Sequence, residues 1–367
     1  MTLLSRTLST LALGGTTLLA CGARTGLDVG QFQRGPGTGT ADQSDAGGEA
    51  DSAACTGSEI AVELNAPNLY FVLDHSTSMN LDSKWTNVRQ VVSQLITQIG
   101  AGARFGATMF PGADGTDSCA PGTEVVPLQQ GDAQGTLANM FLMVTAATPN
   151  GGTPTATTLE ALVPKLSGLA GGTFAILATD GGPNCNAALS CTVDACTSNI
   201  DGAPGCPAGG PPNCCDPPNL NGLGCLDGAR AEKAASDLAA VGVETFVMGI
   251  PGSAPYGPVL DGIAMAGGTA RSAEPYYYSV DTSDVTALSG ALAQIAEKTG
   301  AGCAFTLATP PLNAGGAQVT IGSTSVAPTG SDGWSLAGTT LTLLGSSCAA
   351  VRAAGAPSLH FKDGCSG

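Results

Sequence analysis

Basic and aromatic side chains are scarce in this sequence. Of 367 residues only 13 are Lys or Arg, against 29 Asp or Glu, for a formal charge of -16. A phosphate backbone needs a basic surface, so the charge argues against nucleic acid as a partner. The acidic balance is compatible with cation binding and with solubility by self-repulsion. The two histidines, His75 and His360, lie far apart in sequence, and no C-x-x-C pair occurs; together these argue against a zinc site. H-E-x-x-H, a Walker loop and a G-x-S-x-G elbow are also missing, and with them the usual signatures of zinc proteases, nucleotidases and α/β-hydrolases. No activated nucleophile or acid/base pair is legible, so the expectation is a binding protein and not an enzyme. Aromatics make up 4% while Gly (53) and Pro (23) are abundant, which implies a loop-rich chain.

What is present begins with an N-terminal segment. Arg6 precedes an apolar stretch from Leu8 to Ala20, too short for a stable membrane-spanning helix. It ends in Leu18-Leu19-Ala20-Cys21-Gly22, which resembles a bacterial lipobox. Residues 1–20 then read as a lipoprotein signal peptide and Cys21 as the lipidated residue; a plain secretory signal is the rival. Acyl chains on Cys21 would anchor the protein at about 0.8 kcal/mol per buried methylene, and Gly22 in place of Asp points to the outer membrane. Residues 21–54 carry hardly an apolar side chain and read as a disordered tether. Thirteen cysteines less Cys21 leave twelve, so up to six disulfides are expected in an oxidising compartment, with the pairing left open.

Beyond the tether, strands and helices alternate, the pattern of an α/β fold with a mostly parallel sheet, doubly wound and flanked by helices. The stretches ending at Leu73, Ala178 and Ile250 are apolar throughout and read as central parallel strands. Trp85, Val88, Val91, Val92, Leu95, Ile96 and Ile99 form one stripe of a helix that Gly100 stops. Thr123 to Leu128 reads as an edge strand, and Ser283 as the N-cap of a last helix through Val285, Leu288, Leu292 and Ile295. These elements place an α/β domain over residues 55–299. Residues 183–226 interrupt it with seven cysteines and few large apolar groups, a disulfide-rich loop insertion. After Cys303 period-two alternation predicts a small disulfide-stapled β module over residues 300–367.

Three short motifs carry the chemistry. Asp74, Ser76 and Ser78 form D-x-S-x-S just past an apolar strand. Asn150-Gly151-Gly152-Thr153-Pro154-Thr155 leads into a helix, and Thr179-Asp180-Gly181 ends another apolar strand. Ligand sites of open α/β sheets lie at such carboxyl ends, and hydroxyl and carboxylate oxygens suit hard divalent cations. Taken singly, Asp74, Asp180 and Thr153 could equally cap helices, and Ser76 and Ser78 could be turn residues. His75, adjacent to Asp74 and Ser76, reads as a bystander. In order and in context, the three motifs resemble the von Willebrand factor A (integrin I-like) domain and its metal-ion-dependent adhesion site.

That resemblance implies a metal set of Asp74, Ser76, Ser78, Thr153 and Asp180. The three hydroxyls would bind directly and the carboxylates largely through water. It further implies Mg²⁺ or Mn²⁺, with Ca²⁺ less favoured, and a protein or polymeric ligand offering a carboxylate. The whole chain is similar to cysteine-rich lipoproteins of this family in myxobacteria, where one serves as a gliding-motility adhesin. A non-adhesive envelope scaffold with a structural metal is the alternative. The insertion at 183–226 begins beside Asp180, so it either walls the site or is a surface ornament.

Overall fold

The computed structural model describes residues 57–112, 117–192, 195–197, 222–280, 284–328, 330–354 and 358–364. The signal peptide, Cys21, the tether and residues 198–221 of the insertion lie outside them, as does Ser283. Among the described residues, no helix is long and apolar enough to cross a membrane.

Two short strands, β1 (Glu59–Ile60) and β2 (Val62–Leu64), precede the main sheet. Then follow β3 (Asn68–Asp74), α1 (Lys84–Ile99), β4 (Arg104–Phe110), β5 (Thr123–Gln130), α2 (Thr136–Val144), α3 (Thr155–Leu166) and β6 (Thr173–Thr179). The α/β unit closes with α4 (Gly228–Ala240), β7 (Val243–Gly249), α5 (Gly257–Ala266), β8 (Tyr278–Ser279) and α6 (Val285–Lys298). The six strands run in the order β5-β4-β3-β6-β7-β8. All pair in parallel except β5, an antiparallel edge strand.

Both faces of this sheet are buried. Leu69, Phe71 and Leu73 of β3 point into a core shared with α1, α2 and α6, while Tyr70 and Val72 point into a second core shared with α3, α4 and α5. That is why β3 reads as continuously apolar and not as alternating. Pro164 is accommodated inside α3. The cap of α6 is Asp284, whose carboxylate accepts from the Thr286 amide at 3.3 Å, one residue later than the expected Ser283. The chain leaves β3 towards β4 and later returns to β6 on the other side of β3, which makes the β3/β6 boundary the topological switch point.

The second module contains β9 (Ala304–Leu307), β10 (Gln318–Ile321), β11 (Thr324–Val326), β12 (Trp334–Ala337), β13 (Thr340–Leu343), α7 (Gly345–Ala354) and β14 (Leu359–Lys362). It is two four-stranded sheets, β1-β14-β10-β11 and β12-β13-β9-β2. Residues 59–64, expected with the α/β domain, therefore belong here: Ile60 lies opposite Phe361, and Val62 opposite Leu307. Strand pairing joins segments some 240 residues or more apart in sequence, which local patterning does not reveal. Helix α7 departs from the all-β expectation. Its Cys348 is bonded to Cys303 and both are buried in the module core with Phe305, Leu341 and Phe361.

Candidate metal centre

The site is built at the switch point. Asp74 is the last residue of β3, and Asp180 directly follows β6, the neighbouring parallel strand. Asp74 is fully buried and Asp180 is 3% exposed. Two buried carboxylates at neighbouring strand ends repel one another and resist ionisation. Burial, and then the charge of Asp180, raise the Asp74 carboxyl to about 7. Hydrogen bonds from Ser76 and Thr179 act in the opposite sense.

Hydroxyls and amides surround the pair. The Ser76 amide donates to Asp74 Oδ1 at 2.8 Å, and Thr179 Oγ1 donates to Asp74 Oδ2. Ser78 Oγ donates to Asp180 Oδ1 at 2.8 Å and lies 3.2 Å from Ser76 Oγ. Met79, fully buried in the core, plugs the loop down behind Ser78. Thr153 joins from the second motif: a Cβ on Gly181 would stand 3.3 Å from Thr153 Oγ1 and 4.0 Å from Asp74 Oδ2. The five residues of the sequence-derived set thus converge on one spot.

The loops are tied to each other. Gly151 donates to Thr77 Oγ1 at 2.9 Å, and the Thr77 amide donates to the Gly151 carbonyl at 3.1 Å. The Asn150 amide reaches the His75 carbonyl at 2.9 Å. Gly151 adopts φ +93°, and a Cβ there would meet the Ser118 carbonyl at 2.7 Å, so glycine is required. His75 is a spacer: its ring packs edge-on against Trp85 and its Nε2 lies 3.0 Å from the Ala147 carbonyl. Burial, the largest effect, lowers its pKa; the side chain is turned away from the metal motif, as expected of a bystander.

Asn184, Lys84 and Gly252 were not singled out by the sequence. Asn184, at the root of the cysteine-rich insertion, accepts from the Thr153 amide through Oδ1 at 2.8 Å. Next to it Cys185 is bonded to Cys119, and a Cβ on Gly152 would stand 2.6 Å from Cys185 Sγ. Cys191 pairs with Cys225 at the far root. Lys84, the first residue of α1, is 6% exposed, and its Nζ lies 2.7 Å from Asp180 Oδ2. A signal existed for Lys84: it sits one turn before Val88 and two before Val91 on the stripe that faces the core. The Pro251-Gly252 turn completes that side, where a Cβ on Gly252 (φ +110°) would meet Lys84 Nζ at 3.1 Å.

The donor set fits a hard divalent ion. It consists of two carboxylates and three hydroxyls, without thiolate or imidazole. Among the described residues no group of three or more His, Cys, Asp or Glu side chains that could hold a metal ion is assembled. The structure also places a cation, the Lys84 ammonium, against Asp180.

No family model matches this chain, and no curated protein matches it. Solved structures do. The pilus adhesin SpaC from Lactobacillus rhamnosus GG aligns over 81% of this chain and 38% of its own, at 17% identity and TM-score 0.47. The PilB minor pilin from Streptococcus sanguinis aligns over 64% of this chain and 61% of its own, at 17% identity and TM-score 0.44. Proximal thread matrix protein 1 from the mussel byssus, in a structure with a zinc-occupied MIDAS motif, aligns over 65% and 49%, at 16% identity and TM-score 0.39. This chain spans less than half the length of the SpaC chain.

Proposed function

We propose that this chain is a ligand-binding module of von Willebrand factor A type, borne on a lipid-anchored protein of the bacterial envelope. Asp74, Ser76, Ser78, Thr153 and Asp180 would hold a divalent ion, Mg²⁺ or Mn²⁺ in preference to Ca²⁺. When bound, the ion supplies a Lewis-acidic position for a carboxylate of a protein or polymeric ligand. The chain's own part is to fix the oxygens. Two strand ends hold the carboxylates, the Thr77–Gly151 pairing holds the hydroxyl loops together, and burial limits competition from water. Binding is the reading offered here: Ser78 donates to Asp180 and lies within hydrogen-bond distance of Ser76, so these hydroxyls are held as oxygen donors around the carboxylates.

One observation supports this proposal: two buried aspartates at the ends of adjacent parallel strands, at the switch point, lie beside the hydroxyls of Ser76 and Ser78 from one loop and of Thr153 from another. Capping or turn roles would not gather them. Calorimetric titration of Mg²⁺ and Mn²⁺ into the mature chain and into Asp74→Ala tests it. Saturable binding in the first and at least tenfold weaker binding in the second is expected; equal affinity would sink the site assignment. A screen against envelope and matrix polymers, with and without chelator, then tests the adhesive role.

A further inference from the structure

The feature that the metal reading does not absorb is Lys84. Its Nζ lies 2.7 Å from Asp180 Oδ2, with the lysine side chain 7% exposed and the aspartate side chain 1% exposed. Helix α1 is 16 residues long, and Lys84 is its first residue. A cation there faces the positive end of the helix macrodipole, and burying an ammonium is unfavourable unless it is paired. The position is therefore tolerated for what the ammonium meets, namely Asp180. The backbone is also bent to deliver it: Asp82 (φ 51°) and Ser83 (φ 59°) both adopt the left-handed region immediately before it, a conformation that costs non-glycine residues energy. Across the site, the absence of a side chain on Gly252 leaves the space that Nζ occupies.

Both oxygens of Asp180 are thus occupied from within the protein, Oδ1 by Ser78 and Oδ2 by Lys84. The charge count then decides what a divalent ion meets. With both carboxylates ionised, Asp74, Asp180 and Lys84 sum to a single negative charge. Adding an ion of charge +2 with Lys84 in place leaves the buried centre positive. Removing the ammonium from Asp180 leaves it neutral.

We infer that Lys84 is the resident counter-cation of the site and competes with the divalent ion for Asp180. This rests on the metal reading above and adds regulation to it. The lysine keeps the buried carboxylates compensated when no metal is bound, and it sets the metal affinity below what the oxygen donors alone would give. Metal entry drives the ammonium off Asp180 towards solvent.

The test uses the mature chain, Lys84→Met and Lys84→Arg, each titrated with Mg²⁺ and Mn²⁺ by calorimetry. Lys84→Met is expected to bind at least about tenfold more tightly, because a repulsive charge and a competitor are removed together; Lys84→Arg, which keeps the charge, is expected to stay near the original affinity. Independently, in the unaltered chain, site-resolved labelling with an amine-reactive reagent is expected to modify Lys84 slowly in chelator and several-fold faster with metal. Equal or weaker binding by Lys84→Met, or labelling that metal leaves unchanged, overturns the competition. Should Lys84→Met fail to fold, the labelling result decides. No binding by either the unaltered chain or the folded Met variant instead overturns the metal reading itself, and the inference falls with it.

Discussion

Asn184 and Thr153 hold each other by two main-chain-directed bonds: Asn184 Oδ1 accepts from the Thr153 amide at 2.8 Å, and the Asn184 amide donates to the Thr153 carbonyl at 2.9 Å. A residue at the root of the cysteine-rich insertion thereby fixes the backbone of a hydroxyl donor in the candidate metal centre. The insertion is wired to the site at its base.

Asn184→Ala removes one of those bonds and leaves the Thr153 amide without a partner. We expect a stability loss of about 1–3 kcal/mol and weaker Mg²⁺ binding. Chemical denaturation and calorimetry on the same preparation check both. Unchanged metal affinity would show that Thr153 is held well enough by its loop alone.

The Cys119–Cys185 bond spans 66 residues and lies over Gly152. On the chain-entropy account a loop of that size is worth roughly 4 kcal/mol. Replacing both cysteines by serine should lower the unfolding free energy by that order and loosen the Thr153 loop. Hydrogen exchange at Gly151 to Thr153 should rise markedly. Protection equal to that of the original chain would mean the Asn184 bonds suffice.

The Asp74 carboxyl is raised from an ordinary 3.8 to about 7. Its folded form therefore holds a proton that the unfolded chain releases, so this group stabilises the metal-free fold fully below about pH 4. That contribution is lost as pH rises towards about 7. His75, whose pKa is lowered, acts in the opposite sense. Comparison with Asp74→Asn isolates the aspartate: in chelator, the original chain should lose stability relative to the variant between about pH 4 and pH 7. Saturating Mg²⁺ should stabilise the original chain increasingly over the same rise, because the ion needs the carboxylate. Parallel pH trends in the two proteins would refute the assignment.

Ile60 pairs with Phe361 and is buried in the core of the second module. Ile60→Ala should cost about 2–5 kcal/mol there. Deleting residues 57–64 should open both sandwich sheets to proteolysis while fragments of the six-stranded sheet persist. A module that stays protected after the deletion would mean the N-terminal strands only decorate it.

Local patterning carried a large part of this protein. Continuous apolar runs at Leu69–Leu73 and Ala175–Ala178 specify strands buried on both faces, and Gly100 ends α1 where the stripe predicts. Because the strands are parallel and their ends share one edge, motifs at those ends are bound to meet. The grouping of Asp74, Ser76, Ser78, Thr153 and Asp180 came from the resemblance of their three motifs to a known family, and the structure brings these residues into one neighbourhood.

Long-range pairing was not legible. That β1 and β2 complete the C-terminal sandwich depends on contacts between the two ends of the chain, and short strands of two and three residues carry no register of their own. Disulfide partners likewise depend on which loops fold together, and only the fold brings Cys185 to Cys119. Lys84 is the sharpest case. The sequence put a lysine on the inner stripe of a helix, and only the tertiary structure, by setting Asp180 and the glycine of the Pro251-Gly252 turn opposite it, made it the buried partner of Asp180.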